Sequence, residues 1–415
     1  MAVSGPLSGL RVIEISSFVA APLGGMTLAQ LGADVVRIDP IGGAADRDRW
    51  PVTAAGASLY WAGLNKSKRS VMADMRSETG RSVVRELVAA CAPGTGVVLT
   101  NAPGRPWSSY TSLREVCPDL IHVQIDGRSD GSAALDYTVN AEVGFPLVTG
   151  SPEFADPVNH VLPAWDIACG LYAALGVAAA ARERERTREG AEIHVALADV
   201  ALAMAGNLGF LSEAQVNGVE RPRIGNHLYG SFARDFRCSD GRRVMIVALT
   251  PRHWTALVQL TDLERPVRAL EESVGADFSL ESDRYEYREV LAGLFERWFR
   301  LRPSAEVSEK LAGTPLVWAP YRSFAETVSD LAASEQPHPL MSVLDQPGIG
   351  PHLAPGSPVT FGATRRPPEP APALGEHTRE VLSGDLRMSA DRIRELIAAG
   401  AVADSASPRE SRLGR

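Results

Sequence analysis

The tightest constraint on the fold is the way short β-branched runs alternate with helical segments early in the chain. Residues 10–15 (LRVIEI) read as a strand. Residues 23–31, after Pro22, have helical periodicity, with Gly32 placed to stop the helix, and residues 34–39 (DVVRID) are a second strand. A strand–helix–strand unit of this kind calls for parallel strands joined by a right-handed crossover. The pattern recurs as strand 70–74, helix 79–90, strand 96–100, loop 101–104 and strand 120–125. It predicts an open parallel α/β sheet, whose ligands bind beyond the carboxyl ends of the strands.

Further along, residues 166–184 read as a long buried Ala- and Leu-rich helix, followed by strand 192–196 and helix 200–211. The longest apolar stretch, 195–211, is interrupted by Asp199 and Asn207 and reads as a buried helix rather than a membrane span. The composition then shifts. Residues 221–230 form a loop, 236–247 a hairpin turning at Ser239-Asp240-Gly241, and helices follow around Trp254 and over 291–299. The expected organisation is a large Rossmann-like domain over 1–220, a smaller α+β domain over 221–340, and a segment 341–415 returning to the large domain. A disordered tail is expected from about residue 405.

Charge and cysteine usage narrow the function classes. There are 42 Lys and Arg against 50 Asp and Glu in 415 residues, a net charge of −8, which counts against a nucleic-acid partner. Cys91, Cys117, Cys169 and Cys238 form no C-x-x-C pair, and such usage fits a reducing cytoplasm. The first apolar run already contains Glu14 and follows no basic segment, which counts against a signal peptide. The eight histidines are scattered singly, so no metal site is expected. Neither G-x-G-x-x-G nor a Walker A loop occurs.

Three features could carry chemistry. Gly127-Arg-Ser-Asp-Gly131 fits G-x-S-x-G after a strand, but a weak helix start follows, so a Gly/Ser/Asp loop is the stronger reading. Lys66-Ser-Lys-Arg69, together with Arg37, is either a phosphate-holding rim at the strand ends or a solvated surface run. Asp166 opens an apolar helix. Spacing alone favours an N-cap over a carboxylate nucleophile helped by the helix dipole.

Several stretches resemble the class III CoA-transferase family: 9–15, 32–38, 68–71, 166–175, 223–226, 239–241 and 374–378. The resemblance runs nearly end to end. It implies a Rossmann-like large domain plus a small domain, and two subunits interlocked as linked rings. It makes Asp166 the nucleophile that forms an acyl anhydride and then an aspartyl-CoA thioester. CoA enters as part of the substrate, and no other cofactor is implied. CoA-contact positions fall on Val19, Ala20, Ala73, Asp74, Met75, Arg76, Asn101, Ala102, Pro103, Leu135, Asp136 and Tyr137.

The stretches 18–30, 60–65, 136–140, 158–166 and 346–350 resemble a branch of the family that moves CoA within one molecule. That implies transfer between the two carboxyl groups of a short, unsaturated, branched dicarboxylate. The alternative is intermolecular transfer to a small carboxylic acid. An intramolecular enzyme must hold the free carboxylate of its substrate, and His160, Arg223, His227 and Arg234 are the candidates, His160 first. The sequence departs from the family pattern at Pro40, at Asn101-Ala-Pro-Gly-Arg105, which moves an Arg, and at Leu135, where racemases carry a His. Leu cannot transfer a proton, which counts against a racemase.

Overall fold

The computed structural model describes residues 5–102, 104–362 and 365–405. The chain divides into two units. The first comprises Met1–Val143, Val161–Leu211 and Glu335–Arg415; the second comprises Gly144–His160 and Ser212–Ser334. The sequence reading puts the boundaries at 220/221 and 340/341 and leaves 144–160 in the large domain. The tail expected from about residue 405 lies, from 406 on, outside the described residues.

The first unit is built on six parallel strands: β1 (Arg11–Ile15), β2 (Asp34–Asp39), β3 (Arg69–Ala73), β4 (Gly96–Thr100), β5 (Ile121–Asp126) and β6 (Ala191–Ala196). Their order is 3-2-1-4-5-6, and the short strand Val402–Ala403 pairs antiparallel with β3. The inner strands are buried on both faces, yet only β4 (GVVLT) reads as a continuous apolar run; β2 (DVVRID) and β5 (IHVQID) carry buried polar side chains, among them Arg37, Asp39, His122 and Gln124. The strand order reverses direction between β1 and β4. A cavity lies at the carboxyl ends of the strands on this side of the sheet, lined by residues that follow β2, β3 and β4. The C-terminal segment is stitched onto β3: Gly375 N donates to Ser70 Oγ at 2.9 Å and His377 N to Ser70 O at 2.9 Å.

The helix Ala164–Thr187 departs from its expected form. It starts two residues earlier than the spacing suggests, and it is only partly buried. Its inner face crosses the helix Ala20–Gln30 at a contact that admits only glycine. A Cβ on Gly170 would lie 2.5 Å from Ala20 O, and one on Gly24 would lie 3.0 Å from Gly170 O. On the outer face Leu171, Tyr172 and Leu175 are exposed. By length and composition alone this helix could cross a bilayer, a test that core helices also pass. The stretch read as one buried helix over 195–211 is in fact the end of β6, the helix Leu197–Asn207 and a further turn. Leu202, Leu208 and Leu211 are exposed there.

The second unit carries a three-stranded antiparallel sheet, Phe232–Arg237, Arg243–Ala248 and Val317–Pro320. Helices cover it around an aromatic core in which Phe236 stacks on Phe299 with ring centres 4.4 Å apart. Residues 239–241 form the turn of its hairpin, as the Ser-Asp-Gly signal predicts.

Candidate active site

Asp166 is placed by a carboxylate from a distant part of the chain. Helix Ala164–Thr187 follows Pro163, which offers no side-chain cap. Its free N–H groups are met instead by Asp136, in the first turn of helix Asp136–Glu142. Asp136 Oδ2 accepts from Trp165 N at 2.7 Å and from Asp166 N at 3.1 Å. One turn on, Asn140 Oδ1 accepts from Trp165 Nε1 at 3.2 Å. The orphan donors that a neighbouring Ser or Asp usually satisfies are therefore satisfied from thirty residues upstream. This corrects the capping role that spacing favours for Asp166. It lies inside the first turn and its carboxylate is not the cap.

Asp166 is partly buried, and burial is the main cause that pushes its pKa up to about 6; the nearby Asp136 adds to the rise and Arg49 opposes it. Such a carboxylate is ionised at neutral pH, yet more basic than an exposed one, which suits a nucleophile. The Arg49 guanidinium lies over two rings, 5.4 Å from the centre of Phe18 and 5.3 Å from that of Tyr60. Phe18 adopts a left-handed backbone (φ 64°), and its N–H donates to Asp46 Oδ2 at 2.9 Å. Burial raises the Tyr60 phenol to about 12, so Tyr60 remains an O–H donor.

The predicted CoA positions separate into groups. Asp74, Met75, Arg76 and Ala102 line one cavity of about 420 Å³ at the carboxyl ends of β1, β3 and β4, together with Pro40, Arg105 and Trp107. Arg76 is highly exposed and pairs with Asp74 at 3.0 Å. Asn101 does a different job: its Oδ1 accepts from Ser17 N at 3.0 Å and its Nδ2 donates to Ser17 O at 2.8 Å. That clasp joins the loops after β1 and β4. Ala73 is fully buried in the core, and Val19 and Ala20 are buried at the start of helix Ala20–Gln30. Asp136 is the buried cap just described, while Leu135 and Tyr137 beside it are exposed. Pro103 lies outside the described residues.

Neither reading of Lys66–Arg69, a phosphate rim or a solvated surface run, matches the structure, because both lysines are buried. Lys68 is buried, and its Nζ meets Glu14 Oε1 at 2.8 Å, Asn65 Oδ1 at 2.9 Å and Pro22 O at 2.8 Å. Lys66 Nζ donates to Gly63 O at 2.9 Å. Arg69 pairs with Asp34 and Asp385 at 2.6 and 2.9 Å. Arg37, completely buried, meets Asp39, Asp46 and Asn65. These cations already have partners inside the fold. Ser129 is likewise set aside as a nucleophile. It is exposed in a turn closed by Gly131 N donating to Arg128 O, and no helix follows until Asp136.

Three of the four carboxylate-holding candidates are engaged within the second unit. Arg223 donates to Leu147 O at 2.8 Å and also to Phe154 O. His227 and Arg234 share Glu289, at 3.1 and 3.5 Å. His160 is partly buried at the edge of the 144–160 segment of that unit. Sequence reasoning assigned no role to Arg49, Tyr60 or Trp107, and noted Arg105 only as an Arg displaced from the family pattern. Arg49 and Arg105 lie in loops, while Tyr60 and Trp107 sit in the short helices Leu59–Leu64 and Pro106–Ser108, too short for a periodicity that would mark a site. Among the described residues no group of three or more His, Cys, Asp or Glu is placed to hold a metal ion.

A family model described as CoA-transferase family III matches residues 7–378. The chain belongs to this family. It is 48% identical over 405 residues to 2-methylfumaryl-CoA isomerase of Chloroflexus aurantiacus, covering 97% of this chain and 98% of that protein. It is 28% identical to the succinyl-CoA–L-malate CoA-transferase beta subunit of the same organism, over 94% of this chain and 96% of that one. Among solved structures, a CaiB/BaiF family protein from Brucella suis superposes with a TM-score of 0.75 at 26% identity, covering 92% of this chain and 99% of that one. As a family III CoA transferase the chain is an enzyme of α/β architecture, and an acyl-CoA is the substrate class consistent with it.

Proposed function

We propose that this family III enzyme is an intramolecular CoA transferase that converts 2-methylfumaryl-CoA into 3-methylfumaryl-CoA. The observation that carries the reading is the 48% identity, spread over nearly the full length of both chains, to a 2-methylfumaryl-CoA isomerase. Relatives named as intermolecular transferases stand well below that, at 28% and 24% over similar lengths.

Asp166 is the nucleophile in this reading. Its carboxylate adds to the thioester carbonyl, the C–S bond breaks and CoA thiolate leaves. The product is a mixed anhydride. The thiolate then adds to the aspartyl carbonyl, giving an aspartyl-CoA thioester and releasing the substrate as a free dicarboxylate. The other carboxylate of that molecule attacks the aspartyl thioester, and CoA returns to the new anhydride at its acyl carbonyl. Asp166 is regenerated as a carboxylate, with no net proton change. Division into acyl exchanges lowers each barrier. Every tetrahedral step needs a donor for its oxyanion, and the protonated Tyr60 is a candidate. Buried Trp165 beside Asp166 limits water at the anhydride. The crevice holding Arg76, Arg105 and Trp107 supports binding of the CoA nucleotide, with two cations for phosphate and one indole for stacking.

A second copy of the chain covers the apolar outer face of helix Ala164–Thr187, where Leu171, Tyr172 and Leu175 are exposed. Four free cysteines support a reducing cytoplasm. The test of function is incubation with 2-methylfumaryl-CoA alone. Isomer formation without added acid, and no entry of labelled free 2-methylfumarate into the CoA pool, are the expected results. A strict requirement for an added acid would move the assignment to an intermolecular transferase.

A further inference from the structure

We infer that Arg49 retains the substrate's dicarboxylate while CoA is parked on Asp166, and so makes the transfer intramolecular. The inference rests on the reading of the chain as an intramolecular CoA transferase.

Charge conservation sets the problem. Before reaction the site holds the Asp166 carboxylate and the one free carboxylate of the acyl-CoA. In the aspartyl-CoA state Asp166 is a neutral thioester, and both negative charges sit on a small molecule with no covalent tie. Asp136, close to Asp166, is a buried carboxylate that repels this dianion. Without a cation the diacid escapes, and the enzyme becomes an ordinary intermolecular transferase.

Arg49 meets the requirement. Its guanidinium rests against the Phe18 and Tyr60 rings and has no ion-pair partner among the described residues. It is near enough to Asp166 to oppose the effect of burial on that carboxyl. Ring faces orient a guanidinium while leaving its in-plane N–H donors open for a carboxylate. The seat is also built from below. Phe18 is turned left-handed, pinned by its N–H on Asp46, and Asp46 is in turn fixed by buried Arg37 at 3.4 Å. In contrast Arg37 and Lys68 are paired internally, and Arg223, His227 and Arg234 are engaged within the second unit. A planar fork fits either end of a dicarboxylate, which lets the bound diacid present its second carboxyl after the first has left.

The test uses the full-length enzyme with 2-methylfumaryl-CoA and isotopically labelled free 2-methylfumarate. Wild-type enzyme isomerises the thioester, releases no diacid and incorporates no label. In Arg49→Gln the rate of isomerisation is expected to fall at least about tenfold, matching the loss of one charge-assisted contact. Free diacid appears, label enters the CoA pool, and the protein accumulates as the Asp166 thioester. Arg49→Lys should show intermediate release, because it keeps the charge without the fork. Both variants are expected to keep the wild-type Tm, since Arg49 is exposed. Isomerisation by Arg49→Gln at the wild-type rate, or a slowed rate with neither diacid release nor label entry, overturns the assignment. Failure of the wild-type enzyme to isomerise the thioester alone instead sinks the proposed function, and this role with it.

Discussion

Two sets of cations belong to the sheet of the first unit, one buried within it and one at its rim, and they differ in what neutralises them. The buried set, Arg37 and Lys68, is enclosed by Glu14, Asp39 and Asp46. Burial works against the Arg37 charge, but these three carboxylates outweigh it and the pKa rises. Lys68, with Glu14 as its ion-pair partner, is lowered to about 8 because burial prevails. The rim set, Arg49, Arg76 and Arg105, is exposed: Arg49 is held by aromatic faces, Arg76 by Asp74, and Arg105 lines the crevice. A basic residue next to a strand end is thus no sign of anion binding by itself. Its counter-ions decide whether it braces the scaffold or awaits a ligand.

Substitution separates the two sets most sharply through stability. Lys68→Met removes the closer of the two cations paired with buried Glu14, leaving Arg37 at 3.8 Å, and breaking a buried pair costs up to about 3–5 kcal/mol. The variant is expected to be insoluble, or to show a large drop in Tm with no change in acyl-CoA affinity beyond its loss of folded protein. At the rim the expectation reverses. Arg105→Ala should raise the KM for acyl-CoA about tenfold, while its thermal unfolding stays within about 0.5 kcal/mol of wild type. An Arg105→Ala enzyme with wild-type KM, or a Lys68→Met enzyme with wild-type Tm, would collapse the distinction.

The difference explains what could be read from the sequence. The parallel sheet was legible from the alternation of short strands with helical segments, although of these strands only 96–100 is nearly apolar throughout and 34–39 carries Asp34, Arg37 and Asp39. Residues 66–69 were misread because a Lys-Ser-Lys-Arg run resembles a solvated loop. Ser67, with a left-handed φ of 65°, turns the chain so that both lysines point inward. The role of Asp166 was obscured for a related reason. The local rule expects a helix cap next to the helix, whereas this one arrives from Asp136 through tertiary packing. Arg49 and Tyr60 lie before and within the short helix Leu59–Leu64, a region without the periodicity that marks residues as facing a site.

Acidity gives a subtler contrast. With Asp166 raised to about 6, kcat/KM should fall as the pH drops through about 6, rather than through the ordinary carboxylate range. The same shift has a stability consequence of definite sign. Between the unfolded pKa and about 6 the folded state binds the extra proton, so this group's contribution to stability declines as pH rises through that window. Asp166→Asn removes the ionisable group. It should therefore abolish turnover yet raise Tm at neutral pH, with the gain vanishing at about pH 4. A lower Tm at neutral pH would mean that the carboxylate serves the fold rather than the chemistry.

The account depends on Asp166 becoming covalently bonded, and this can be measured directly. Enzyme turning over 2-methylfumaryl-CoA is quenched with hydroxylamine, digested, and its peptides, including those containing Asp136 and Asp166, are sequenced by mass spectrometry. A hydroxamate on Asp166, formed only in the presence of the acyl-CoA and absent from Asp136, is the predicted result. Continued turnover with an unmodified Asp166, or a hydroxamate on another carboxylate, would contradict it.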